Sequence, residues 1–425
     1  MTNYNTLGNK FKVNLLNFSK NISQNLGKPA QKFVAGMLFG IIAAKSSKLT
    51  DIGRALKEPI ALKKTVERLG RNLSEFSDGE ALMQKYLSAV KPLLGADFVI
   101  LVDAGDATKA CSPKMEAIGT VKDGSTGKFA NGYWTMGAVA LSEENHQPIP
   151  VYENLYPCKK QGGLGFNAET AKCLQHLREN FENHIPRVFD RGFDAGEILT
   201  ELVGHNEKFI LRANQNRVAV HNGQRGHINE IARGLVCENE IVYQSKSGKA
   251  LKCKIGMTQI VLPKLRNLKL NLVVCKSFDG DPLVLYTNLD ETLENIAVRV
   301  VKGYLMRWRI EEFYAFKKEN GLRFEDFRVR SLKAIKNLDL LLTIAAGFVG
   351  MLCGKTDTSI VVELIAASKR IPKISTFLKK TKFLLYAVLD GIACVVAALR
   401  CGIAHYFAPK SRNYQLCFAD FEKMG

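Results

Sequence analysis

The sequence FVILVD, residues 98–103, decides the fold class. Five consecutive apolar residues followed by an acid are typical of a strand that is covered on both faces and ends at Asp103. Residues 186–190, PRVFD, are typical of a shorter strand that ends at Asp190. Apolar residues at helical spacing, residues 168–181, separate the two runs. We therefore expect an α/β core in which two carboxylates meet at the carboxyl ends of adjacent strands, although Asp at a strand end is also an ordinary turn former.

The segments around this core divide the chain into three parts. Residues 1–95 carry helical spacing, as in residues 32–44. Residues 96–345 hold the core, and between residues 206 and 287 short β-rich runs alternate with Gly, Asn and Lys turns, which predicts an all-β insertion. Residues 346–425 form a helical C-terminal region. Two long apolar runs, residues 340–353 and 383–407, are expected to be buried helices rather than membrane spans.

Charge indicates the class of partner. The 425 residues include 60 Lys and Arg against 41 Asp and Glu, a net charge of +19 with a pI near 9.4. Residues 1–75 alone carry 13 basic and 4 acidic side chains. This excess favours nucleic acid as the partner. The ten cysteines form no CxxC pair, and the seven histidines form no ligand cluster, so we expect reduced thiols, no structural zinc and a cytoplasmic location.

A helix-turn-helix is predicted in the basic N-terminal region. A short helix over residues 50–56, capped by Thr50 or Asp51, precedes an amphipathic helix over residues 60–73 with Pro59 in its first turn. The outer face of the second helix carries the basic residues Lys64, Arg68 and Arg71. A DNA-reading helix has this character, and so does a solvated surface helix of a small bundle.

The segment over residues 303–319 carries a polar stripe. If it is one helix, Tyr304, Arg307, Glu311 and Lys318 fall within a 60° arc at 100° per residue. Ion pairs on a solvated helix face would give the same pattern. Together with Asp103 and Asp190, however, Glu311 completes a set of hard oxygen donors that suits Mg²⁺ or Mn²⁺. Two such ions support in-line phosphoryl displacement, and Arg307 and Lys318 would then neutralise phosphates.

The spacing of this stripe resembles the Y-x2-R-x3-E-x6-K signature of DDE transposases of bacterial cut-and-paste insertion sequences, the insertion-sequence-four family. Residues 190–194, DRGFD, resemble the D-R-x-x-D segment of that family, and residues 209–212, FILR, resemble the strand that opens its β insertion. The likeness covers about residues 30–345. It implies an RNase H-like catalytic core, a mixed sheet with flanking helices, that is interrupted by the β insertion.

The resemblance also implies functional residues and partners. Asp103, Asp190 and Glu311 would hold two Mg²⁺ or Mn²⁺ ions, and Tyr304, Arg307 and Lys318 would grip the phosphates of the transposon end. The reaction would be cleavage at terminal inverted repeats followed by strand transfer into target DNA, by a homodimer assembled on double-stranded DNA through residues 346–425.

Several alternatives stay open. Asp106 is a rival to Asp103 as first ligand. Leu283 stands where hairpin-forming relatives have Trp, so a hairpin intermediate is undecided, with Tyr286 or Trp308 as other stacking residues. Further basic residues are either DNA contacts or ordinary solvent-exposed side chains: Arg212 and Arg217 in the insertion, Lys109, Lys114, Lys122 and Lys128 after the first acid, and Arg328 and Arg330 after the signature.

Two other functions remain: a catalytically silent DNA-binding repressor of transposition, and a scaffold that binds nucleic acid without sequence preference.

Overall fold

The chain begins with a group of helices and continues into a large sheet. The computed structural model describes residues 4–95, 97–142, 146–244, 250–277, 281–290, 295–354 and 358–407. The N-terminal helices are α1 (Tyr4–Ser23), α2 (Lys28–Ala44), α3 (Leu49–Leu56), α4 (Leu62–Glu75) and α5 (Gly79–Val90). Apolar residues at helical spacing bury one side of each; in α2 the buried stretch runs unbroken from Phe33 to Ile42, because other helices surround it.

The sheet is assembled from three successive segments. The first comprises β1 (Phe98–Thr108), β2 (Gly119–Lys122), β3 (Phe129–Ser142), β4 (Ile149–Tyr156), α6 (Phe166–Asn180), β5 (Arg187–Phe189), α7 (Gly196–Gly204) and β6 (Phe209–Arg212). The second is the insertion, with β7 (Val218–His221), β8 (Gln224–His227), α8 (Ile228–Gly234), β9 (Asn239–Gln244), β10 (Ala250–Leu262), β11 (Leu268–Ser277) and β12 (Leu283–Thr287). The third is helical: α9 (Ile296–Leu305), α10 (Trp308–Ala315), α11 (Leu332–Gly354), α12 (Thr358–Ala367), α13 (Ile374–Lys380) and α14 (Leu385–Ala397).

Among the described residues the strands form one twelve-stranded sheet in the order β2-β3-β1-β5-β6-β12-β11-β10-β7-β8, with β4 beside β3 and β9 beside β10. β1 pairs antiparallel with β3 and parallel with β5, and β5 pairs parallel with β6. The other pairs are antiparallel. The predicted mixed α/β fold is confirmed, and β1 is apolar because it lies between two neighbouring strands in the core.

β1 extends further than its sequence pattern indicated. The prediction ended the strand at Asp103, but residues 104–108 continue the antiparallel ladder with β3. Asp103 therefore lies within the strand. The second predicted strand is confirmed as β5, which stops at Phe189 directly before Asp190.

The insertion differs from its prediction in one respect. It is not entirely β, because α8 interrupts it; the main-chain N–H of His227 donates to the Glu230 carboxylate at 2.9 Å and so caps this helix. Its strands belong to the same sheet as the core. β12 pairs with β6, so the insertion extends the core sheet directly.

The terminal helices pack on one another. α1 and α2 contact α14, while α2, α4 and α5 contact α11, which also lies against β4. The predicted boundary at residue 345 falls inside α11. By length and composition α11 would span a membrane, and α2 with α3 would make a second, broken span, but 72% of the most apolar stretch of α11 is buried within the fold.

Candidate active site

Two of the predicted acids lie side by side at the centre of the sheet. The parallel ladder between β1 and β5 ends with Val102 opposite Phe189, so Asp103 and Asp190 occupy the next position on neighbouring strands. Adjacent strands are about 4.8 Å apart, which brings the two carboxylates into the same region. Glu311, in the first turn of α10, approaches from a segment more than 100 residues further along the chain.

Arg307 joins two of these acids. Its guanidinium lies 3.1 Å from Oδ2 of Asp103 and 2.5 Å from Oε1 of Glu311, and its side chain is only 14% exposed. Burial alone would lower the pKa of Arg307, but Asp103, Tyr304, Asp190 and Glu311 together raise it above its usual range. The guanidinium is therefore charged and held in place by several acceptors.

Asp103 is the most perturbed carboxyl of the group. The pKa of Asp103 is raised to about 7, chiefly by burial; the charge of Arg307 opposes this rise, and the charges of Asp190 and Glu311 contribute to it. The main-chain N–H of Ala104 donates to Oδ1 at 3.0 Å. Arg307 pairs with both Asp103 and Glu311, and Asp190 follows Phe189 beside Asp103, so the three carboxylates form one cluster.

Asp190 has its own partners. The hydroxyl of Tyr304 donates to Oδ1 at 3.2 Å, and the guanidinium of Arg212 lies 3.9 Å from the same oxygen. Burial, followed by the charge of Asp190, raises the pKa of Tyr304, so its hydroxyl stays protonated and can serve as a donor. Among the predicted DNA contacts, Tyr304, Arg307 and Arg212 thus lie at the acid cluster.

Lys318 and Asp106 form a separate pair. Nζ of Lys318 lies 2.9 Å from Oδ2 of Asp106 and 3.5 Å from Oε1 of Glu325. The other oxygen of Asp106 accepts the main-chain N–H of Gly124 at 3.0 Å. Asp103, and not Asp106, therefore accompanies Asp190 and Glu311 in this structure.

The signature segment is not the single helix that we expected over residues 303–319. Tyr304 lies in the last turn of α9, Arg307 at a tight junction, Glu311 in α10, and Lys318 in a π-helical turn, Phe316–Asn320. At the junction the main-chain N–H groups of Arg307, Arg309 and Ile310 bond to the carbonyl three residues back instead of four. Tyr304, Arg307 and Lys318 consequently reach different acids, and the four side chains do not form the regular helical stripe that we expected.

A buried ion cluster accompanies the π-helical turn. Nζ of Lys317 lies 3.2 Å from Oε1 of Glu153 in β4 and 2.6 Å from Oδ1 of Asp339 in α11, and each side chain is at most 3% exposed. Burial raises the pKa of Glu153 to about 7, partly offset by Lys317. Gly321 closes the turn, where a Cβ atom would stand 2.2 Å from the carbonyl oxygen of Phe316.

Two residues near the site, Tyr314 and Lys317, were not predicted from the sequence. Tyr314 donates from its hydroxyl to the carbonyl of Asp103 at 2.8 Å. It follows Arg307 and Glu311 at helical spacing, so the pattern contained a signal for it. Lys317 had a weaker signal: one of its two acidic partners, Asp339, stands directly before the apolar run of residues 340–353.

The remaining predicted contacts lie elsewhere. Arg217 pairs with the buried carboxylate of Asp194 at 2.6 Å. On α4, Lys64 and Arg71 are exposed, whereas Arg68 bonds to both oxygens of Glu58 at 2.7 Å. The predicted bounds of this pair of helices were inexact: α3 starts after Lys48, and Pro59 precedes α4, which begins at Leu62.

The donor chemistry of the cluster fits a hard divalent cation, because Asp103, Asp190 and Glu311 offer only carboxylate oxygens. Their present spacing does not. Arg307 fills the gap between Asp103 and Glu311, and within the described ranges no three His, Cys, Asp or Glu side chains stand close enough to hold an ion. A cation at this place requires Arg307 to turn away.

Comparison with known proteins adds little. No protein-family model matches the chain, and no curated protein sequence matches it. Among solved structures, the chain is similar to a piggyBac transposase in a synaptic complex with hairpin DNA, with a TM-score of 0.42 and 8% sequence identity, over 96% of this chain and 84% of that chain.

Proposed function

We propose that the protein is a DNA transposase of the DDE type, related to the insertion-sequence-four family. One observation carries the proposal: Asp103, Asp190 and Glu311, from three separate elements, form one carboxylate cluster around Arg307. Gathering three acids is electrostatically unfavourable and nothing in mere DNA binding requires it, since carboxylates repel phosphates. Phosphoryl transfer with divalent cations does require it.

The topology supports an RNase H-like core. β1 and β5 are adjacent parallel strands that carry the first two acids, and β3 extends the sheet antiparallel on the other side of β1. Helices α6 and α7 follow the strands along the chain, and α10, with the third acid, contacts β1. The insertion enters between β6 and α9, before the third acid, as the resemblance implies.

In this proposal Asp103, Asp190 and Glu311 hold two Mg²⁺ or Mn²⁺ ions, which when bound would polarise the scissile phosphate and the attacking oxygen. Arg307 exchanges its carboxylate partners for phosphate oxygens, which accept the same bidentate pair of N–H groups. Tyr304 orients Asp190 through its hydroxyl, and Lys318 leaves Asp106 to contact a phosphate further along the strand. Arg307 thereby moves from the acids to the substrate when DNA enters.

The proposed reaction has two steps. Water attacks the phosphodiester at the transposon end and releases a free 3′-hydroxyl; that hydroxyl then attacks a phosphodiester of target DNA, forming one bond and breaking another without a covalent enzyme intermediate. A homodimer on double-stranded DNA would pair the two ends, in the bacterial cytoplasm. These elements of the proposal rest on the resemblance of the sequence motifs.

The test is cleavage of a supercoiled plasmid that carries the DNA flanking the gene, with Mg²⁺ or Mn²⁺. We expect cuts at the ends by the wild-type protein and a loss of about 10³-fold or more in Glu311→Gln. Glu312→Gln is the matched control, since its carboxylate pairs with Arg309 away from the cluster. Equal activity of Glu311→Gln and wild type would refute the assignment of Glu311.

A silent DNA-binding protein is the second candidate, and the ion pairs of Arg307 favour it. Asp103 and Glu311 are already neutralised by an internal cation, so the fold tolerates the cluster without any metal. This function predicts binding to the flanking DNA with no cleavage under either metal, and no difference between wild type and Glu311→Gln.

A further inference from the structure

The hairpin of β2, β3 and their connecting turn, residues 119–132, exposes an aromatic ring. Phe129 is 75% exposed at the start of β3 and lies directly opposite Lys122 of β2. Lys128 precedes it in the chain. A single exposed apolar side chain is ordinary on a protein surface, so the surroundings of Phe129 decide what it means.

The turn that presents Phe129 is firmly built. The carboxylate of Asp123 accepts the main-chain N–H of Ser125 at 2.8 Å and the hydroxyls of Ser125 and Thr126 at 2.6 and 2.8 Å. Its main-chain carbonyl accepts the N–H of Gly127 at 2.8 Å, and Gly127 supplies the positive φ of 72° that closes the turn. The hairpin therefore presents its tip without a large ordering cost on binding.

The lysines beside Phe129 are available to a partner. Lys122 and Lys128 are exposed, and neither forms an ion pair with any other residue that the structure describes. Lys109, by contrast, is structural: its Nζ donates to the carbonyls of Glu325 and Phe327 at 2.7 Å each. An exposed aromatic ring with one unpaired cation opposite it and another next to it in the chain suits a polyanion that also offers apolar surface, such as the sugar-phosphate backbone of DNA.

The hairpin is fixed to the strand that carries Asp103. Asp106 accepts the N–H of Gly124 with one oxygen and pairs with Lys318 through the other. Asp106 lies three residues beyond Asp103 on β1, about 10 Å at about 3.3 Å per residue. This distance equals roughly three base-pair steps of 3.4 Å. A duplex held at the acid cluster would therefore reach the hairpin within a few base pairs of the reacting phosphate.

We infer that the β2–β3 hairpin binds duplex DNA beside the acid cluster, with Lys122 and Lys128 on backbone phosphates and the ring of Phe129 against the apolar side of a deoxyribose. The inference rests on the proposed function, which makes DNA the substrate. It adds a contact surface outside the signature residues, and the contact is independent of sequence because every nucleotide of a duplex offers a phosphate and a deoxyribose.

The first test measures the affinity of the protein for a labelled duplex of the flanking DNA. Binding is monitored by anisotropy, in EDTA and over a range of salt concentrations. We expect Phe129→Ala to weaken binding roughly tenfold, because the apolar contact of the ring is lost, and Phe129→Trp to restore it. Combined Lys122→Ala and Lys128→Ala should reduce the slope of log K against log salt by about 2. Matched controls are Val236→Ala, at another exposed apolar residue, and combined Lys379→Ala and Lys380→Ala in α13; both should bind like the wild type.

The second test locates the contact. With p-benzoylphenylalanine at position 129, irradiation should crosslink the DNA within a few base pairs of the end, and the same group at position 236 should not. If wild type and all hairpin variants bind alike and position 129 gives no crosslink, the hairpin inference fails, while the metal-dependent cleavage result stands unaffected. If the wild-type protein binds no duplex at all, the hairpin inference and the proposed function fail together.

Discussion

A guanidinium between Asp103 and Glu311 offsets the repulsion that neighbouring ionised carboxylates exert on one another. The compensation is incomplete for Asp103, whose pKa stays near 7 because burial outweighs the attraction of Arg307. At the scale of single residues, the site without DNA is thus under electrostatic strain that a cation or a proton would relieve.

This strain makes the stability of the protein depend on pH. The pKa of Asp103 is higher in the folded protein than its usual value of 3.8, so the folded state binds more protons between about pH 4 and 7, and stability falls as pH rises through that window. We expect Asp103→Asn to raise the free energy of unfolding by about 1–3 kcal/mol at pH 8 and hardly at all at pH 4.

Thermal unfolding in metal-free buffer at the two pH values measures the effect. Asp97→Asn, at an exposed acid just before β1, serves as control and should show no such pH dependence. A gain of equal size at pH 4 and pH 8, or a loss at pH 8, would contradict the electrostatic explanation.

At the scale of elements, the π-helical turn after α10 determines where the two neighbouring lysines go. Lys317 enters the core between Glu153 of β4 and Asp339 of α11, and Lys318 points to Asp106 of β1. The buried cluster therefore ties α11 and the sheet to the segment that carries Glu311.

Lys317→Met should be strongly destabilising, because it leaves two buried acids without their cation. We expect a loss of about 3–5 kcal/mol in the free energy of unfolding at pH 8. The loss should be smaller at pH 5, since the pKa of Glu153 is already raised to about 7 by burial and rises further without Lys317, so that the acid becomes neutral.

Urea unfolding at both pH values gives the comparison, with Lys302→Met on the exposed side of α9 as control. A loss below about 1 kcal/mol at pH 8 would show that the cluster contributes little to holding the turn.

The sequence predicted the parts of the site that depend on local patterns. Asp103, Asp190 and Glu311 do lie together. Their grouping could be predicted because the apolar runs before the two aspartates and the spacing of Arg307 and Glu311 are local features of the sequence. Lys318 was predicted on the same face because the segment was treated as a regular helix. The π-helical turn follows from contacts with β4 and α11, which local spacing does not contain, and the extra length of β1 follows from pairing with β3.

At the scale of the whole molecule, the net charge of +19 opposes association of two chains in the absence of DNA. Duplex DNA removes that barrier by neutralising the basic surfaces. We expect light scattering after size exclusion to show a complex of two chains with two end duplexes at about 0.1 M salt. A complex of one chain with one duplex at every ratio tested would argue against the proposed pairing of ends.

The sheet is hydrogen-bonded continuously from β2 to β8, because β12 of the insertion pairs directly with β6 of the core. An insertion that folds as a separate domain can be deleted at its two connections to the core, but this insertion cannot. Cutting out residues 213–288 would strip β6 of its neighbour and leave a row of open N–H and carbonyl groups next to Asp190, a template for pairing with other chains. Shortened versions of this protein should therefore aggregate, and the insertion belongs to the architecture of the core as much as any strand that carries an acid.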